Sequence, residues 1–185
     1  MAKRYTVEES AFSHFLFNTT AAAWFWLVVR LYLGWQWIEA GWEKVTSPAW
    51  TGSQAGTALS GFLQGSLQKT AGAHPDVQSW YAVFLRTVVL AHPVVWSHIV
   101  SYGELLVGIA LVIGFLTGIA AFFGLFMNLN YLLAGAVSTN PILFVLAVGT
   151  MLAWKVAGYI GADRYVLPVL RAASRTGAQT APGHR

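Results

Sequence analysis

The segment VVWSHIVSYGELLVGIALVIGF, residues 94–115, decides the fold because it is almost wholly apolar and carries a single acidic residue, Glu104. An α-helix rises about 1.5 Å per residue, so this segment matches the roughly 30 Å hydrocarbon core of a bilayer. Three further apolar segments of similar length lie at residues 21–42, 118–137 and 141–160. The sequence therefore predicts an all-α integral membrane protein, a four-helix bundle of transmembrane helices.

The composition agrees with that prediction and excludes several activities. Of 185 residues, 56% are hydrophobic and only 10% are charged, which is outside the range of soluble domains. The chain has no cysteine, so thiol exchange and cysteine-ligated iron–sulfur clusters are excluded. Only His98 lies inside a predicted span, whereas a haem in a bundle needs two facing histidines. We expect no haem, iron–sulfur or metal site.

The chain divides into three predicted regions. Residues 1–20 form an N-terminal segment, residues 21–168 the four-helix domain, and residues 169–185 a disordered basic tail. An even number of spans places both termini on one side, and the tail arginines make that side cytoplasmic. Residues 1–20 lack the apolar core of a cleaved signal peptide, so the first helix is expected to direct insertion. The predicted location is the cell membrane, crossed several times.

The long outer loop, residues 46–91, has a helical pattern of its own. One apolar set recurs at helical spacing, and a second set follows Pro75. The pattern predicts two short amphipathic helices, which either cover the ends of the spans or form a lid over a lipid-accessible pocket. The first set is Leu59, Phe62, Leu63 and Leu67, and the second is Trp80, Tyr81, Phe84, Leu85, Val88 and Val89.

Two ionisable residues lie near the middle of predicted spans, Arg30 in the first and Glu104 in the second. Charges at membrane depth are costly and usually paired, so depth alone favours an Arg30–Glu104 ion pair. Two interpretations stay open. Either the pair only fastens the two helices together, or Glu104 binds or protonates a ligand that arrives from the lipid, such as a quinone carbonyl.

The first helix has two contrasting faces. Arg30, Gly34, Gly41 and Lys44 share one face, and the glycines indicate close contact with another helix there. Glu39 lies on the opposite side together with Glu43; Glu39 is the deeper of the two and is open to a role in a site.

Polar residues on the later helices are assigned mainly structural roles. Asn128 and Asn130 are about 200° apart around the third helix, so at most one faces the bundle centre, where an interhelical hydrogen bond is expected. Asp163 and Arg164 are expected to end the fourth helix and to anchor it at the membrane surface.

Several short motifs, in order along the chain, resemble the DoxX/DoxD family of small four-helix membrane proteins. The resemblance covers residues 22–168, and the loop sequence around Trp50 and Trp80 is more similar to the DoxD branch, the large subunit of thiosulfate:quinone oxidoreductase. The motifs are RLYLG at 30–34, GWEK at 41–44, YGELLVG at 102–108, LVIGFLTG at 111–118 and GYIGADRY at 158–165.

The resemblance implies a quinone-linked redox subunit that acts with a second protein, and it points to Arg30, Lys44, Glu104 and Asp163. We therefore expect a quinone or similar lipid-soluble molecule near Arg30 and Glu104, the candidate catalytic residues. Glu39, Lys44 and Asn128 are expected to complete the binding set. The expected surroundings are membrane lipid and either a partner subunit or a second copy of the chain, with no nucleic acid.

The chain also departs from the thiosulfate enzyme, since it has no cysteine to carry sulfur and no recognisable redox cofactor site. The alternative function is a non-catalytic membrane anchor or assembly subunit that recruits a redox or stress-response partner. A channel or transporter ranks lower because four spans enclose too narrow a bundle for a pathway.

Overall fold

The computed structural model describes residues 8–170, which contain helices and no β-strand. A 3₁₀ turn at Thr20–Ala22 joins the first two helices, a π-helix at Leu85–Val89 continues the fourth, and residues 163–170 are also helical. The helices are α1 Ala11–Asn18, α2 Ala23–Val45, α3 Thr57–Gln68, α4 Ser79–Phe84, α5 Pro93–Ile113, α6 Thr117–Leu133, α7 Asn140–Leu152 and α8 Trp154–Ala157.

Four apolar helices, α2, α5, α6 and α7, contact one another in a ring. α2 packs along α5, α5 along α6, α6 along α7, and α7 returns to α2. Their shared core includes Trp26, Leu33, Trp37 and Leu111, all of them buried. The opposite faces of the same helices expose large apolar side chains such as Leu106, as expected for surfaces that meet lipid.

The helix lengths differ from the prediction of four full spans. Within residues 8–170, α5 is the one helix that is long and apolar enough by itself to cross a membrane. Residues 11–18 and 20–45 pass the same test only together, and they are bent by 64° at the break between them. α6 has 17 residues and α7 has 13, so α7 reaches about 20 Å.

Hydropathy missed these helix ends because the residues that end the helices are themselves apolar. α6 ends at Leu133 and is followed by Gly135 with φ +71°, a left-handed residue typical of a helix C-terminus. α7 ends at Leu152, and α8 begins after Ala153. The predicted third and fourth spans, 118–137 and 141–160, ran through both of these points.

The two helices predicted in the loop are present as α3 and α4, although α4 continues as the π-helix. Leu59, Leu63, Tyr81 and Leu85 are buried with Val77 and Ala134 in a second apolar cluster. The Tyr81 hydroxyl donates to Asn130 Oδ1 at 3.0 Å, which ties the loop to α6. Burial raises the pKa of Tyr81 to about 12.

Glycines bring α2 and α5 into backbone contact, as the sequence predicted for this face of α2. A Cβ added to Gly41 would lie 2.4 Å from the Leu105 amide nitrogen, and one added to Gly108 would lie 2.6 Å from the Ile38 amide nitrogen. Backbone atoms of a packed helix cannot yield as a flexible side chain can, so only glycine fits at these positions.

We expect Gly41→Ala to destabilise the protein by about 1–3 kcal/mol because the added methyl must push α2 and α5 apart. The matched control is Gly61→Ala in α3, where a Cβ would meet nothing within 4 Å and where alanine favours the helix. Denaturant unfolding in detergent micelles measures both variants. Equal stability of the two would contradict the close α2–α5 contact.

We expect Tyr81→Phe to flatten the alkaline stability profile. Unfolded tyrosine ionises near pH 10, whereas folded Tyr81 keeps its proton to about pH 12. The contribution of Tyr81 to the free energy of unfolding is therefore complete below pH 10 and is lost as the pH rises from 10 to 12. The wild type should therefore lose more stability across that window than Tyr81→Phe. If the wild type and Tyr81→Phe gave parallel stability profiles in unfolding measurements from pH 8 to 11.5, the raised pKa of Tyr81 would be contradicted.

Candidate functional site

Two side chains from neighbouring helices, Lys44 and Tyr131, meet at the Glu104 carboxylate. Glu104 in α5 is only 1% exposed, and its Oε2 lies 2.8 Å from Lys44 Nζ at the end of α2. The Tyr131 hydroxyl, near the end of α6, donates to Glu104 Oε1. Both carboxylate oxygens therefore have a partner, and the charge of Glu104 is balanced by that of Lys44.

The antiparallel register of α2 and α5 produces this meeting. Gly34 faces Val112, Ile38 faces Gly108 and Gly41 faces Leu105. Lys44 lies about one turn beyond Gly41, which puts its side chain beside Glu104. The short turn between α5 and α6 brings the later part of α6, with Tyr131, back to the same level.

The predicted Arg30–Glu104 ion pair is wrong. If the same register is continued, Arg30 lies beside the α5–α6 turn. There its guanidinium packs so closely on Gly114 that a Cβ added to this glycine would lie 1.5 Å from Arg30 Nη1. Arg30 is about 21 Å from Lys44 along α2 at 1.5 Å per residue. Depth within each predicted span could not separate these positions, because it does not fix how two antiparallel helices are aligned.

Arg30 belongs to a second buried polar cluster, at the other end of α2. It is 1% exposed and donates through Nη2 to the Ile160 carbonyl oxygen at 2.7 Å, while Nε and Nη1 have no hydrogen-bond partner among residues 8–170. Its guanidinium packs against the backbone of Gly114 and Gly161. Asp163 attracts it electrostatically from the start of the C-terminal helical segment.

Asp163 is buried, which corrects its predicted place at an exposed helix end. Its carboxylate accepts hydrogen bonds from the backbone amides of Leu116 at 2.6 Å and Thr117 at 2.8 Å. These amides open α6, whose first turn has unpaired donors and favours a negative charge. Asp163 and Arg30 thus hold the C-terminal segment against the α5–α6 turn.

A cavity of about 240 Å³ borders the Lys44–Glu104–Tyr131 cluster. Its wall is formed by α2, α5, α6 and the start of α7. The lining residues are Gln36, Trp37, Ala40, Lys44, Glu104, Tyr131, Thr139, Asn140 and Leu143. A larger cavity of about 300 Å³ lies beside Asp163 and Thr117, but its wall is almost entirely apolar. Because the wall of the smaller cavity offers several polar side chains, it is the better candidate for chemistry.

The remaining predicted site residues fall in different places. Asn128 is fully buried and donates to Asn140 Oδ1 at 2.8 Å, so it makes the expected interhelical bond and orients a cavity residue without lining the cavity itself. Glu39 is exposed and is not part of the cavity wall. The structure therefore brings Lys44 and Glu104 together, with Asn128 behind them.

Sequence reasoning missed Tyr131, Asn140 and Gln36. A signal for Tyr131 existed, because Gly124, Asn128 and Tyr131 recur at helical spacing on α6 and therefore share one face. No comparable signal marks Gln36 or Asn140, which reach the cavity only through the packing of α2 against α7.

The loop contacts two of the three central residues. The Trp50 ring lies 5.3 Å from Lys44 Nζ, a cation–π distance, and the Phe62 ring meets the Tyr131 ring edge-on at 6.3 Å. The Ser97 hydroxyl donates to the Trp50 carbonyl oxygen at 2.6 Å and fixes that part of the loop on α5. The loop therefore packs directly over Lys44 and Tyr131.

The cluster can donate, accept and hold a proton in one place. Lys44 and Tyr131 are hydrogen-bond donors, and the Glu104 carboxylate is an acceptor that can take up a proton. Within residues 8–170, no group of three or more His, Asp or Glu side chains is placed to hold a metal ion.

Comparison with known families adds an independent observation. The family model described as DoxX matches residues 25–137, more than half of the chain. The match includes Arg30, Lys44 and Glu104 and ends before Asp163. No curated protein and no solved structure matches the chain. The chain therefore belongs to the DoxX family of membrane proteins.

Proposed function

We propose that this protein is the membrane-embedded subunit of a quinone-linked redox complex, and that it binds the head group of a quinone, or of a similar lipid-soluble molecule, beside Glu104. The observation that carries this proposal is the cavity at which Lys44, Glu104 and Tyr131 converge between apolar helices. Ionisable groups in such surroundings are expensive and commonly mark a ligand or proton site.

The chemistry of the three side chains suits both forms of the ligand. A quinone carbonyl is an acceptor, and Lys44 Nζ and the Tyr131 hydroxyl are donors. A quinol hydroxyl is a donor, and the Glu104 carboxylate is an acceptor. When bound, a quinone would supply two-electron, two-proton redox chemistry, and Glu104 is the group placed to hold a proton for it.

The size of the cavity supports a single ring as the bound part. Pockets for drug-sized ligands have volumes of roughly 300–1,000 Å³, whereas this cavity has about 240 Å³. A ring head group fits this space only if its hydrocarbon tail stays outside. In this proposal Arg30 acts at a distance, by fixing the α5–α6 turn, and Glu39 has no contact with the ligand.

The proposed topology has four crossings by α2, α5, α6 and α7, with both termini in the cytoplasm. The ring of helix contacts and the apolar outward faces support it. The chain has no cysteine, so any sulfur chemistry or thiolate-held cluster of the complex would belong to a partner subunit.

The first test is quinone binding by protein in lipid nanodiscs. We expect Glu104→Gln and Tyr131→Phe each to weaken binding about tenfold or more, because a hydrogen bond to a charged group contributes about 1.5–3 kcal/mol. Glu39→Gln is the matched control, since that carboxylate is exposed and lies outside the cavity wall.

Equal losses in Glu39→Gln, or absence of quinone from the wild type, would contradict the proposal. A stoichiometric protein partner purified without quinone would instead support the anchor function and move the chemistry to that partner.

The second test is topology, which the absence of native cysteine makes direct. We expect Ala73→Cys, between α3 and α4, to react with an impermeant maleimide added outside intact cells. Glu8→Cys should react only after the membrane is opened, because the two residues are exposed and lie on opposite sides in the proposed topology. The reverse pattern, or equal labelling of both, would contradict it.

A further inference from the structure

The cavity beside Glu104 opens on one side of the molecule. Trp37, Glu104 and Leu143 form its buried wall. Thr139, just before α7, is the exposed residue of the lining, and five lining residues are partly buried: Gln36, Ala40 and Lys44 of α2, Tyr131 of α6 and Asn140 of α7. Of these, Lys44 and Tyr131 are in contact with Trp50 and Phe62 of the loop. The mouth therefore lies between α2 and the beginning of α7.

The mouth runs along the flank of α2. From Gln36 to Lys44 the lining residues extend about 12 Å along the helix axis at 1.5 Å per residue. At the loop end the site is covered, because Trp50 lies over Lys44 and Phe62 lies against Tyr131. The lining residues without such a loop contact, Gln36, Ala40, Thr139 and Asn140, lie on the side between α2 and α7.

The surface around the mouth is suited to a hydrocarbon tail. Ile142 of α7 is 60% exposed about one turn from Thr139, and Tyr32 of α2 is exposed one turn from Gln36. These side chains continue the apolar outer faces of the two helices. A tail that leaves the cavity at Gln36 would lie against apolar groups without passing through water.

We infer that the ligand reaches the site sideways from the bilayer, through the mouth between α2 and α7, and that the site takes amphiphiles with an uncharged head group. This inference rests on the proposed function and specifies its ligand class. The tail stays in the bilayer while the head reaches Lys44, Glu104 and Tyr131.

The preference for an uncharged head follows from the charges at the site. Lys44 and Glu104 neutralise each other, so a charged head would leave a buried charge without a counterion. Glu43 is exposed beside Lys44, and its carboxylate is near enough to repel that of Glu104. It would repel an anionic head in the same way.

Single cysteines in this cysteine-free chain test the route. The key variant is Ala40→Cys, reconstituted in vesicles of neutral lipid and treated with a maleimide that carries an acyl chain or with a hydrophilic maleimide. The controls are Leu106→Cys, which is 65% exposed on α5, Ala121→Cys, which is 0% exposed on α6, and Ala73→Cys, which is exposed in the loop.

We expect the acyl maleimide to label Ala40→Cys at least tenfold faster than Ala121→Cys, and on the time scale of Leu106→Cys. The hydrophilic maleimide should label it at least tenfold more slowly than Ala73→Cys. Labelling of Ala40→Cys by the hydrophilic reagent alone would overturn lateral access, whatever the ligand is.

Protection from labelling tests the ligand class. Added quinone should slow acyl-maleimide labelling of Ala40→Cys at least fivefold and leave Leu106→Cys unchanged. Equal protection by the anion of a long-chain fatty acid would overturn the preference for an uncharged head. Protection by a neutral long-chain alcohol without any protection by quinone would support lateral access and contradict the quinone function.

Discussion

The contact between α2 and α5 at Gly34, Gly41 and Gly108 is the constraint on which the rest of the structure depends. Backbone approaches this close admit one alignment, because a shift along the helices would bring a side chain against the neighbouring backbone. That alignment decides the partners of every polar side chain on the two helices. It places Lys44 beside Glu104 and Arg30 beside the α5–α6 turn.

The two buried polar clusters have different consequences although both contain charged side chains. At one end Arg30 and Asp163 are engaged mainly by backbone groups, and glycine backbone fills the space around the guanidinium. At the other end, Glu104 is held by the side chains of Lys44 and Tyr131, with a cavity beside them. Side chains can exchange partners with a ligand at little cost, whereas backbone amides at a helix start cannot. The first cluster therefore holds the C-terminal segment in place, and the second is the better candidate for a functional site.

Sequence reasoning located the apolar helices, the two loop helices and the glycine face, because each is a periodic pattern within one segment. It also selected Lys44 and Glu104. It failed on the Arg30–Glu104 pair because pairing depends on alignment between segments. The predicted binding set also included Glu39 and omitted Tyr131. Both were judged by depth and charge, which do not show which side chains reach the cavity.

The short α6 and α7 explain why the cavity lies where it does. α6 ends at Leu133 and α7 begins at Asn140, so their connection lies beside Tyr131 instead of beyond it. Backbone groups of such a connection need hydrogen-bond partners when they lie among apolar helices. Here Lys69 Nζ donates to the Gly135 carbonyl oxygen at 2.6 Å, and Asn140 donates to the Ala136 carbonyl oxygen at 2.8 Å. The helix ends that hydropathy missed, at Leu133 and Asn140, are therefore the ones that lie beside this cavity.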